Sequence, residues 1–287
     1  VRNLGTIVTG VLLSAALLLG AWLYQKSSQD RGANRIDELT ESQAATSVSG
    51  ISSKTWTVET TVGKIVADRP ETARVLDLVG IDYCCGGHLP LQEAATAQNV
   101  DPAQLLNALL AVGASTTSGE YRDWQQAELS ELIDHVVSTH HTWLRRELPT
   151  LSETTQTVLR VHGDTHSELA EVAATLERIR TAVFPHLDEE EQHLFPALRD
   201  LADGNASADI EEQLASMQTD HEALGADLHR LRELTNGFAE PADACAKYRE
   251  MLTGLSALEG DMHQHVHLEN NVLLPKVQGL LAELKAN

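Results

Sequence analysis

Aromatic residues make up only 4% of the 287 residues, and lysine and arginine together number 21 against 42 aspartates and glutamates. Few aromatics beside abundant Ala, Leu, Glu and Gln argue against a β-rich architecture and for an all-helical one. The net charge of −21, with no clustered Lys or Arg, excludes a nucleic-acid partner, because phosphates must be met by a basic face. The excess acid reads instead as solvated helical surface. Cysteine is sparse as well. Three thiols, two of them adjacent, cannot frame a disulfide scaffold, so reduced cysteines in a cytoplasmic-facing compartment are expected. Even so, 42% hydrophobic residues over this length can bury a core and leave room for two modest domains.

One stretch lacks charge altogether. The run from Asn3 to Gln25 is long enough to cross a bilayer as a helix. It is longer than a typical signal-peptide core, and Leu-Gly-Ala-Trp-Leu-Tyr offers no small-x-small cleavage site, so residues 1–25 read as an uncleaved membrane anchor rather than a signal peptide. Lys26, Arg31 and Arg35 follow the run and only Arg2 precedes it, which orients the soluble part to the cytoplasm. The alternatives are a cytoplasmic protein, or a periplasmic one if the topology is reversed. Residues 26–54 are polar and without apolar period, as in a flexible linker.

Residues 55–113 pattern as a small helical module, with helices over Val62–Ala67, Pro70–Val79, Leu91–Gln98 and Pro102–Val112. Its second and third helices flank Gly80-Ile-Asp-Tyr-Cys84-Cys85-Gly86-Gly87-His88, where two glycines allow a tight turn and Cys84 and Cys85 can lie near a helix N-terminus that favours thiolate. Two small buried hydrophobes is the plainer reading of the pair, and of Cys245. A hinge over 114–126 leads to residues 127–287, where amphipathic segments at about 127–148, 154–200, 207–235 and 243–285 predict an antiparallel four-helix bundle. Pro149, Gly204-Asn205 and Asn236-Gly237 with Pro241 mark the predicted helix ends, and Pro185 a kink within the second segment.

Within that bundle one pattern occurs twice. His186 to Pro196 and His265 to Pro275 both read H-x3-E-x4-[F/L]-P, and positions four apart share a helix face to within about 40°, so each copy sets an imidazole beside a carboxylate. A lone histidine precedes each copy at nearly one distance: His141 lies 45 residues before His186, and His221 lies 44 before His265. Four imidazoles and two carboxylates (His141, His186, His221, His265, Glu190 and Glu269) thus converge as a ligand set for two metal ions. Mixed N/O ligands suit iron, with manganese and zinc as alternatives, and the carboxylates are placed to bridge. His162, His166, His193, His229, His263 and His267 read as surface residues or as supports for ligand imidazoles. No such role is assigned to Asp220 or Asp261.

Thr61-Val-Gly-Lys-Ile, Arg69-Pro70 and Asp82-Tyr-Cys-Cys-Gly-Gly87, followed by the two His-x3-Glu motifs, closely resemble the iron-sulfur cluster repair di-iron proteins, the repair of iron centres family, across nearly all of the chain after residue 55. That resemblance implies a hemerythrin-like bundle holding two non-haem iron ions, oxo- and carboxylate-bridged, on the same six residues. The family's His-x6-Leu-Pro spacing selects His141 over its neighbour His140. It further implies iron or thiol relay by Cys84 and Cys85, proteins with damaged iron-sulfur clusters as partners, NO or O2 as small ligand, and a homodimer. A di-iron nitric oxide reductase or an O2/NO-binding sensor needs the same ligands. Gly225 stands where an oxygen-carrying hemerythrin usually has a further histidine, which argues against reversible oxygen carriage. The membrane anchor is not a usual feature of the family.

Overall fold

The computed structural model describes residues 56–115 and 122–286. The chain divides into two compact units, and the segment Asp82–His88 belongs to the second although it lies between helices of the first.

In the first unit, α1 (Val62–Asp68) leads through a 3-10 turn at Pro70–Thr72 into α2 (Ala73–Val79), and α3 (Leu91–Ala97) and α4 (Pro102–Ser115) follow. Proline opens both the 3-10 turn and α4, where its missing N–H would have had no partner. Gly80 ends α2 in the left-handed conformation, at φ 72°. Val62, Ile65, Val75, Leu76, Leu91, Leu105 and Leu109 are buried to within 1% and make the core. Each contributes roughly 1.5–3 kcal/mol on burial.

The second unit consists of four long helical runs. The first is α5 (Leu129–His135), a wide π-type turn at Val136–His141 and α6 (Thr142–His162); the second is α7 (Leu169–Glu189), a wide turn at Glu190–Leu194 and α8 (Phe195–Ala202). The third is α9 (Ile210–Leu234), and the fourth is α10 (Ala246–Leu268), a wide turn at Glu269–Leu273 and α11 (Leu274–Ala286). The second run packs between the first and third, and the fourth packs on the first. Short loops between neighbours make the runs antiparallel.

Pro149 does not end a helix as expected; α6 continues through it to His162. Leu144, Leu148, Leu151, Thr155 and Val158 form one apolar stripe across the proline, and all are buried. Several such burials outweigh the ~3 kcal/mol cost of an internal proline. Pro185 likewise lies inside α7.

The expected anchor over residues 1–25 lies outside the described residues, as does most of the linker. Among the described residues no helix is long and apolar enough to cross a membrane. Membrane anchoring therefore has no structural support, and the localisation expected from the sequence is corrected on that ground.

Candidate metal centre

The three wide turns fall on candidate ligands. In each copy of the repeated motif the turn starts at the glutamate and ends before [F/L]-Pro: Phe195 N–H donates to the Glu190 carbonyl and Leu274 N–H to the Glu269 carbonyl, five residues back. The prolines that follow, Pro196 and Pro275, have no N–H to keep the regular ladder in register. In the first run Thr142 N–H makes the same five-residue reach to Val137, just past His141.

The six residues meet in two quartets. His141, Glu190, His265 and Glu269 present ligand atoms within 4.8 Å of one another, and so do His186, Glu190, His221 and Glu269. Both glutamates belong to both quartets. All six side chains are buried, the most exposed at 4%. His141 Nε2 and His265 Nε2 are 3.1 Å apart, and His186 Nε2 and His221 Nε2 are 3.2 Å apart. Two ligands at about 2.1 Å from one ion and about 90° apart would be separated by about 3 Å.

The outer nitrogens fix the ring tautomers. His141 Nδ1 lies 2.9 Å from Glu191 Oε1, His186 Nδ1 lies 3.4 Å from Asp220 Oδ2, and His221 Nδ1 lies 3.0 Å from Asn270 Oδ1. These oxygens only accept, so each Nδ1 carries a proton, and His141 and His186, disfavoured as cations by burial, turn a bare Nε2 lone pair inward. Both oxygens of Glu190 are buried without a hydrogen bond, although His141 Nε2 and His186 Nε2 each approach to 3.4 Å. Facing lone pairs and an unbonded buried carboxylate are stabilised by cations, and the donor set fits two of them.

Burial pushes His141 and His186 down to about 4. Burial and the neighbouring Glu269 charge push Glu190 well above the carboxylate range. Burial alone would also raise Glu269, but the imidazoles of His265 and His221 outweigh it and hold the acid well below its usual value. His221 rises despite burial because it bonds Glu269. Before any metal enters, the site already pushes its two carboxyls in opposite directions.

His140 does not enter either quartet; its Nδ1 lies 3.0 Å from Asp261 Oδ1 and its ring stacks on His265 at 5.5 Å. His267, expected at the surface or as a support, is 3% exposed and bonds no ligand. Cys245, expected buried, is exposed just before α10 with its Sγ 3.2 Å from His162 Nε2. Sequence reasoning missed Glu191 and Asn270, and gave Asp220 no role because it was judged against its neighbour His221 rather than against His186 on the second helix. Glu191 and Asn270 occupy the positions directly after Glu190 and Glu269, so the repeat itself carried the signal. Arg145 holds Glu191 at 3.1 Å and Asp188 at 2.7 Å. A solvent-open cavity of about 370 Å³ reaches His186 and Glu190, walled by Glu189, Asp209, Glu212 and Asp220.

Cys84 and Cys85 pack within the same unit. Asp82 Oδ1 accepts from the amides of Cys84 (2.9 Å) and Cys85 (3.0 Å) and from the Cys84 thiol (3.0 Å), and Oδ2 accepts from the Gly86 amide at 3.0 Å. The two sulfurs are 3.9 Å apart. The contact with Cys84 lowers the Cys85 thiol, while the same contact and burial raise Cys84, so of the two Cys85 has the greater thiolate character. Its Sγ lies 3.4 Å from the main-chain oxygen of His221. A Cβ at Gly225, one turn on, would sit 3.5 Å from the same sulfur, so a larger side chain there would enter space the thiol holds.

Residues 132–277 match the Hemerythrin HHE cation binding domain, and residues 58–113 match a Domain of Unknown function (DUF542). A probable iron-sulfur cluster repair protein of Haemophilus influenzae is 32% identical over 216 residues, 75% of this chain and 95% of the relative. The iron-sulfur cluster repair protein ScdA of Staphylococcus haemolyticus is 33% identical over 223 residues, covering 77% and 98%. The iron-sulfur cluster repair protein YtfE of Yersinia pseudotuberculosis is 34% identical over 215 residues, covering 75% and 95%.

Proposed function

The chain belongs to the iron-sulfur cluster repair protein family, and from that premise we propose that it is a di-iron protein that restores iron-sulfur clusters damaged by nitrosative or oxidative stress. The observation that carries this reading is the pair of His2Glu2 quartets sharing Glu190 and Glu269. His141 and His265 would be the terminal ligands of one ion, His186 and His221 those of the other, and the two carboxylates the bridges. Four imidazoles and two carboxylates are hard enough to suit iron and few enough to leave each ion open to a further ligand. Iron so held would supply a labile, redox-active ion. The protein's own part is to keep both carboxylates dry, to fix the His141, His186 and His221 rings from outside, and to hold the Cys85 sulfur against the helix that carries His221. Cys84 and Cys85 would take up iron or supply thiol reducing equivalents at the damaged cluster. The partners are accordingly proteins that carry such clusters.

The test is metal analysis and visible absorption of the full chain purified without oxygen, followed by reactivation of an NO-damaged [4Fe-4S] protein. Two irons per chain, lost together with reactivation in Glu190→Ala/Glu269→Ala, are expected. A Cys84→Ala/Cys85→Ala variant should keep its iron and lose reactivation. Zinc, or less than one iron per chain unaffected by the glutamate changes, would overturn the reading. The cavity that reaches His186 and Glu190 favours a second reading, reduction of NO at the same centre. That reading requires NO turnover with no acceptor protein present.

A further inference from the structure

Two asparagines directly follow Glu269 on its wide turn, and they reach in different directions. Asn270 Oδ1 takes the His221 Nδ1 proton at 3.0 Å. Asn271 Nδ2 donates to the main-chain oxygens of Cys84 at 2.9 Å and of Tyr83 at 3.3 Å. Across the loop, Cys85 Sγ meets the main-chain oxygen of His221. Gly87 closes the clasp: a Cβ there would lie 2.3 Å from Asn271 Oδ1 and 2.7 Å from the Tyr83 carbonyl oxygen, so this approach is open only to glycine. The thiol loop is therefore fastened to the two helical positions that present Glu269 and His221.

We propose that Asn271 is a positioning residue that couples occupancy of the metal centre to the seating of the Cys84–Cys85 loop, an inference that rests on the metal reading above. A cation drawing on Glu269 and on His221 Nε2 acts on both ends of the clasp at once. The turn at Glu269–Leu273 carries the bridging carboxylate, the His221 support and the loop clamp on three consecutive residues, so it cannot move one without the others. Release of the loop would leave its internal shape to Asp82, whose carboxylate bonds are local to residues 84–86. Coupling of this kind is reciprocal: whatever factor metal changes in loop release, a released loop returns in metal affinity.

The experiment uses the full chain with and without bound Zn2+, and again with Fe2+ under argon. It follows alkylation of Cys85 by mass spectrometry and amide hydrogen exchange over residues 82–88. Metal is expected to change the Cys85 rate by at least ~5-fold, within the ordinary range of coupling between sites. In Asn271→Ala and Asn271→Asp, the second of which keeps the size but removes the donor, alkylation should be fast and metal-independent, and exchange over 82–88 should rise. Alkylation of exposed Cys245 serves as the control and should not respond. A wild-type Cys85 rate that ignores bound metal, or variants that keep the dependence, would overturn the coupling while leaving the metal reading intact. Failure of the wild-type chain to take up metal in a direct titration would remove both.

Discussion

Replacing Glu191 by alanine should weaken one metal site and spare the other. Glu191 bonds His141 and no other candidate ligand, and His141 belongs to only one quartet. Loss of such an outer partner typically costs 10- to 100-fold in metal affinity, or about 1.4–2.7 kcal/mol. The Glu191 side chain is 32% exposed, so water can take its place at His141 Nδ1, and the lower end, about 10-fold, is expected. Arg145 keeps Asp188 at 2.7 Å, so the variant strands no buried charge. Chelator competition with Zn2+ resolves the two equivalents: one should weaken about 10-fold and the other stay within about 2-fold. Glu191→Gln, which retains an acceptor oxygen, should recover most of the loss. Equal weakening of both equivalents, or of neither, would refute the division of the site into two quartets with separate outer support.

Glu190→Met removes a buried, unbonded carboxyl from the metal-free protein, and its urea midpoint should rise by the equivalent of about 1–3 kcal/mol even as metal binding is lost; a lower midpoint would contradict the assigned cost. His267, held down to about 4 by burial, stays neutral in the folded state while its unfolded form takes a proton near 6.5. Its contribution is whole above pH 6.5 and is lost as pH falls toward 4, so His267→Phe should flatten the decline of unfolding free energy in that window by on the order of 3 kcal/mol at most; an unchanged slope counts against it. Gly225→Ala should be tolerated, with a Cβ at ordinary contact distance from Cys85 and a gain in helix propensity of up to about 1 kcal/mol. Gly225→Leu should instead unseat the thiol, read as faster Cys85 alkylation with helix content unchanged.

The convergence of the six candidate ligand residues was legible because two constraints on it are periodic. A metal ligand pair on one helix must repeat at four residues, and a duplicated helix pair repeats its lone histidine at a fixed offset, so His141, His186, His221 and His265 announce themselves together. The helical class followed from composition for similar reasons. Helix ends were less legible: Pro149 is a strong local stop signal, yet burial of Leu144, Leu148 and Leu151 on either side overrides it, and burial is not a local property. The seating of Cys84 and Cys85 beside His221 was out of reach altogether, because it joins residues 136 apart in sequence through a main-chain oxygen that carries no residue identity.

The duplication also shows where the two halves diverge. The residue after the motif glutamate supports the lone histidine in both copies, Glu191 for His141 and Asn270 for His221. One support carries charge and is further tied to Arg145, while the other is a neutral amide. An imidazole whose outer proton is shared closely with a carboxylate is the stronger donor, so His141 should bind its ion more firmly than His221 binds its own. On the His186 and His221 side the carboxylate is the looser one, Asp220 at 3.4 Å from His186 Nδ1 against 2.9 Å for Glu191 at His141, and there the cavity opens to solvent and the thiol loop lies behind His221. Glu191→Ala should therefore make the two ions more alike, whereas Asn270→Asp should do so by strengthening the second. Mössbauer spectra of the iron-loaded chain would read both changes as convergence of two distinct iron signals, and a single signal in the unaltered protein would exclude the asymmetry from the start.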